Sequence, residues 1–187
     1  MRSALLAICT AALLGACSTQ APLPPKSATV PTGMDLSGQW RLRADSQQSA
    51  RQITDAERRV TGADESLVSG RKVSQRRSSD VQVHVFLETG EDLKLTQTEH
   101  GLFISFNRSV VEEYRFGEQR TVRVGPVEAD RVSGWENGAY VIETRDKEGA
   151  MLIESYRIDA SGSMIRAIRI VHQGRDELNV KQEFDRN

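Results

Sequence analysis

His84, His100 and His172 are the side chains in this 187-residue chain best suited to metal or proton chemistry, and their spacing argues against both. None lies two, three or four positions from another. No His-Glu-x-x-His pattern and no acidic calcium-type loop is present, so no metal ligand and no cofactor is expected. His100 falls in a turn. His84 and His172 share expected strand faces with Phe86 and with Ile168 and Ile170, where a half-buried, hydrogen-bonded imidazole is the ordinary role. Nucleophilic catalysis has no better support. There is no Gly-x-Ser-x-Gly elbow, and Ser161 and Ser163 only flank Gly162 in a turn. Glu143 and Glu154 stand on adjacent expected strands and could meet across a hairpin. Like charges directly opposite destabilise a sheet, so both are expected outside, interleaved with Arg145 and Arg157. No catalytic residue is assigned, and a hydrolase is only the rival class.

Binding is the chemistry that remains. Trp40, Phe86, Phe103, Trp135, Tyr140 and Tyr156 are the large aromatics that a barrel interior would present to a small apolar or amphipathic ligand. The competing role for each is to fill the core.

The elements that would position these rings are strands. From Arg131 to Arg186 the chain reads as four runs rich in β-branched and aromatic residues: 139–145, 150–158, 164–171 and 177–184. Glu136-Asn137-Gly138, Asp146-Lys147-Glu148-Gly149, Asp159-Ala160-Ser161-Gly162 and Gln173-Gly174-Arg175-Asp176 precede them, and Gly, Asn and Asp supply the positive φ that short turns need. Upstream, Val81, Val83, Val85 and Leu87 alternate with Gln82, His84, Phe86 and Glu88, which predicts a strand. Further strands are expected at 93–98 and 102–107. A hairpin is expected from 112–116 and 119–124 around Gly117-Glu118, and 127–134 is a poorer strand candidate. The fold class is all-β, an antiparallel meander of nine to ten strands. So many twisted strands should curl into a barrel, with a β-sandwich as the alternative.

The N-terminus is different in kind. Arg2 precedes an apolar run from Ala4 to Leu14 that is too short to span a bilayer, which takes ~20 residues. It reads as a secretory signal over residues 1–16. Leu14-Gly15-Ala16-Cys17 resembles the lipobox of bacterial lipoproteins. The resemblance implies cleavage before Cys17, acylation of that cysteine, and, with Ser18 following it, sorting to the outer membrane facing the periplasm. Cys9 would leave with the signal, so the mature chain would hold no free thiol. Residues 17–34 carry Pro22, Pro24, Pro25 and Pro31 and read as an acylated cysteine followed by an extended tether, reaching up to roughly 50 Å at ~3.1 Å per residue.

A single β domain is expected over residues 35–187. It opens with Gly38-Gln39-Trp40, similar to the Gly-x-Trp of the first strand in lipocalins and related calycin barrels. In those families a late Arg or Lys packs across the Trp, and the resemblance gives Arg186 that barrel-closing role with Trp40. The Ser-Gly-x-Trp start and late meander also resemble bacterial envelope proteins of unknown function. Residues 44–79 interrupt the β pattern as a long polar insertion, helical over Gln47 to Val60. Within it, residues 71–77 hold four cations without an interleaved aromatic, so no nucleic-acid platform is expected. Loss of residues 1–16 takes the formal charge from −1 to about −2, so the surface exerts no global pull on polyanions. The expected protein is a lipid-anchored, periplasm-facing binder of a small ligand, or else a protein-interaction module of the envelope.

Overall fold

The computed structural model describes residues 20–61 and 81–187; Cys17, the signal and the basic run 71–77 lie outside the described residues. Ten antiparallel strands form one sheet: β1 Gly38–Leu42, β2 Asp92–Gln97, β3 Gly101–Phe106, β4 Val110–Arg115, β5 Glu118–Val124, β6 Val127–Glu136, β7 Ala139–Asp146, β8 Met151–Ile158, β9 Met164–His172 and β10 Arg175–Arg186. Their spatial order is β4-β3-β2-β1-β10-β9-β8-β7-β6-β5. Pairing of the first strand with the last rolls the sheet into a nearly closed barrel, whose two remaining edges are β4 and β5. The fold is the lipocalin-like one of the two expected. Asn137 and Gly138 both take positive φ (49° and 74°), as a two-residue hairpin turn requires.

Register determines what faces inward. Trp135, Tyr140, Tyr156, Arg166 and Gln182 lie opposite one another across β6 to β10. Ser133, Ile142, Glu154, Ile168 and Val180 form the next row, and Arg131, Thr144, Leu152, Ile170 and Leu178 the third. The lower end is packed by Leu36, Trp40, Leu95, Ile104, Phe106, Met164 and Phe184. At the upper end Leu152, Ile168, Ile170, Leu178 and Val180 meet Ile53 and Ala56 from the helix α1, Gln47–Thr61. That helix exists within the expected insertion because β1 is short. Beyond Leu42, the β1 side of β10 has no strand along it, and the chain turns there with Arg43 N–H donating to Glu183 O and Glu183 N–H to Ser46 Oγ. α1 then packs along β10.

Three expectations need correction. The segment Val81 to Leu87 is not a strand but holds a 3-10 turn, Val83–Phe86. Asp146 on β7 accepts the Gln82 and Val83 amides at 2.9 and 3.0 Å, so a distant carboxylate overrides the local alternation. β4 and β5 do not pair as a hairpin: they are the two outer strands of the rolled sheet, and Gly117 between them sits against Ala28. The third concerns the tether. From Gln20 onward it lies on the barrel as a strap: Leu23 is buried, Lys26 pairs with Glu136 and Glu143, and Ser27 bridges Trp135. β5 stops pairing at Ser133, which leaves the edge of β6 at Trp135 free to accept the strap. The weak strand candidate 127–134 is, by contrast, a ten-residue strand.

Candidate functional site: a charged belt inside the barrel

Arg166 is fully buried, on the inner face of β9 between the aromatic rings of Phe106 and Tyr156, at 5.1 and 5.5 Å. Its Nη2 donates to Glu154 Oε1 at 2.5 Å and to the Glu88 carbonyl at 2.7 Å. Tyr156 Oη donates to the same Glu154 oxygen at 3.1 Å. Burial, with help from the nearby Glu154 carboxylate and against the opposing charge of Arg166, holds the Tyr156 phenol well above its usual pKa, so it stays a donor. Arg166 Nε and Nη1 meet no acceptor among the described residues, and Gln182 Oε1, opposite on β10, is likewise buried without a donor. A buried group left unpaired costs about 1–3 kcal/mol, more when charged.

Two inner rows higher, Arg131 repeats the arrangement. Its guanidinium lies 5.5 Å from both the Phe86 and Tyr114 rings, its Nε donates to Thr144 Oγ1 at 2.9 Å, and Glu112 stands 3.7 Å from Nη1. Arg131 forms the base of a cleft of about 290 Å³ that opens between β4 and β5, where the sheet fails to close. Phe86, Glu88, Glu112, Arg120 and Val122 line it. Burial raises the pKa of the Glu88 carboxyl, and the negative charges of Glu112 and Glu154 add to the rise. The belt therefore offers cationic and phenolic donors deep in an apolar barrel, with a side opening that reaches Arg131.

The aromatic candidates divide. Trp40 is buried at the lower end with Arg186 lying 4.4 Å over its ring. Trp135 and Tyr140 pack edge to face at 5.5 Å and both contact Phe116, which makes them part of the filled core. Tyr156 belongs to the belt, and Phe86 reaches it from the 3-10 turn instead of from a strand. Phe103 does not face the lumen. It is 36% exposed on the outer face of β3, because Leu102, Ile104 and Phe106 take the inner positions.

Glu154 also departs from expectation. It does not point outward beside Glu143: the register sets it opposite Ile142 and Ile168, on the inner face. Glu143 is opposite Ile153, with its carboxylate on Lys26. Arg166, Arg131, Glu88 and Glu112 were not singled out as site residues from the sequence. The signal for Arg166 was its parity with Met164, Ile168 and Ile170. Among the described residues no group of three or more His, Cys, Asp or Glu is placed to hold a metal.

No family model and no curated protein matches the chain. Among solved structures, the chain is similar to a secretary abundant heat soluble (SAHS) protein from Ramazzottius varieornatus. The TM-score is 0.50 at 10% sequence identity, over 85% of this chain and 100% of that one. At that identity the likeness concerns the fold, a lipocalin-like β-barrel.

Proposed function

We propose that this protein is a non-catalytic, lipid-anchored envelope lipoprotein on the periplasmic face of the outer membrane, and that its barrel binds one small amphipathic ligand. The apolar part of the ligand lies against the inner rows, and its polar head engages the charged belt through the cleft between β4 and β5. One observation carries the reading: fully buried Arg166 presents two nitrogens, and Gln182 one oxygen, without partners in the same inner row. Those donors and that acceptor match a ligand head with both acceptor and donor atoms, such as a carboxylic acid or an amide. The lipobox-like Leu14-Gly15-Ala16-Cys17 supports the anchor and the compartment.

Native mass spectrometry of residues 18–187, recovered gently from a periplasm, tests this. A bound mass of a few hundred daltons, on the order of what small β-barrels hold, lost on denaturation, is the expected result. A clean apo monomer across preparations would overturn it. A second reading, a protein-interaction module, has its own support. Val111 is 63% exposed on the free edge strand β4, and Phe103 is its diagonal neighbour on the same outer face. Crosslinking in the envelope would expose such a partner.

A further inference from the structure

The strap fixes where the chain leaves the barrel. Gln20 Nε2 reaches the carbonyl of Lys147 in the β7–β8 turn, at the upper end. From there the strap descends past Lys26, held by Glu143 and Glu136, to Ser27 at Trp135. Gly134 lets the two backbones touch: a Cβ on it would stand 2.5 Å from Ser27 O. With the strap seated, only residues 18 and 19 separate Cys17 from Gln20. Three residues span at most about 10 Å. A lipid on Cys17 would therefore hold the upper end, and not an arbitrary face, against the bilayer.

That same end carries the mouth of the cleft. Val85 and Val124 are 44% and 45% exposed, and both line the cleft above Arg131. Thr121 borders this cleft and also a second, shallow one lined by Gln20, Glu128 and Lys147, so the strap's start and the cleft are neighbours. We infer that the upper end of the barrel docks on the lipid surface that holds the Cys17 acyl chains, with Val85 and Val124 at the interface and the cleft opening into the bilayer. The occupant of this small apolar patch is lipid. A ligand can then pass between membrane and barrel without crossing water.

This inference rests on the proposed lipid anchor, and the test separates the two. The full lipidated protein is made with Val124→Cys or Asn187→Cys, the latter at the lower end where Asn187 N–H donates to Gln39 O. Each thiol is labelled with an environment-sensitive fluorophore. The protein is reconstituted into phosphatidylethanolamine–phosphatidylglycerol vesicles containing a doxyl-labelled lipid. The expected result is that the label at 124 loses most of its fluorescence and the label at 187 keeps it. Protein that does not float with the vesicles overturns the anchor itself. Vesicle-bound protein whose two labels are quenched alike, or not at all, overturns the orientation while the anchor stands. A 124 label shielded from both the doxyl lipid and aqueous iodide means a second copy covers the face, which also overturns the inference. Val85→Cys serves as the second upper position should the 124 variant fold poorly, with the same outcomes.

Discussion

The guanidinium of Arg186 lies 4.4 Å over the ring of Trp40, and its Nη1 donates to the carbonyl of Ser37 at 3.0 Å. The last strand thus clasps the first across the lower end of the barrel. Gly38 is part of the clasp, since a Cβ there would meet Arg186 Nη1 at 2.9 Å. Arg186→Ala should cost about 1–2 kcal/mol, combining a cation–π contact with one hydrogen bond. In a domain of this size that lowers the melting temperature by roughly 2–8 °C. A cycle with Trp40→Phe isolates the ring's share. Strict additivity in that cycle would mean the stacking contributes nothing.

Arg166 and Glu154 should behave as a unit. Arg166→Met alone leaves Glu154 buried with only the Tyr156 hydroxyl as partner, an expected loss of about 3–5 kcal/mol. Combining it with Glu154→Leu should recover most of that stability, because an apolar pair of similar volume often replaces a buried ion pair without loss. The double variant should nevertheless lose the bound mass in native mass spectrometry. Retention of that mass in a well-folded double variant would remove Arg166 from the binding role.

The strap depends on one buried ammonium. Burial opposes the charge on Lys26, but hydrogen bonds to Glu143 and Glu136 outweigh it, so the pKa is raised above 10.5. Its linked stability is therefore complete below that value and lost only as pH climbs through the higher folded one. Lys26→Ala should cost about 2–3 kcal/mol and should make residues 20–30 sensitive to limited proteolysis while the barrel persists. Unchanged protease resistance would show that Leu23 and the Ser27 bridge hold the strap unaided.

Glu88 predicts an acid-side effect. Its raised pKa means that the folded state binds the proton more tightly than the unfolded chain, whose ordinary value is 4.5. Its contribution to stability is thus full below pH 4.5 and falls as pH rises through the folded value, where a third negative charge appears beside Glu112 and Glu154. Glu88→Gln should raise the denaturation midpoint at pH 7 and leave it unchanged at pH 4. An equal shift at both values would assign the effect to packing.

Cys17→Ala should move the protein from the membrane fraction to the soluble periplasmic one, since several acyl chains, each CH₂ worth about 0.8 kcal/mol, supply the attachment. Continued tight membrane association of that variant would sink the lipid-anchor proposal.

The strands of the meander were legible because their information is local. A turn such as Asn137-Gly138 needs positive φ at both positions, and few residues tolerate it. The Trp40–Arg186 partnership was also approachable, because both positions flank short motifs at the two ends of the domain. Phe103 was misplaced because its neighbours Leu102, Ile104 and Phe106 compete for the same interior, and burial favours the three inner positions over one ring.

By itself the sequence determined that the chain is all-β, where most of its strands begin and end, and that no short catalytic or metal motif is present. Only the tertiary structure decided what the barrel contains. Whether Glu154 points to water or to Arg166 depends on pairing with strands far along the chain, and a one-residue change of register would turn both outward. The cleft between β4 and β5, the 3-10 turn clamped by Asp146 and the docked strap share that origin. Each arises where a distant segment fills or fails to fill a gap in the rolled sheet, and gaps of that kind are a property of closure, to which no local run of residues has access.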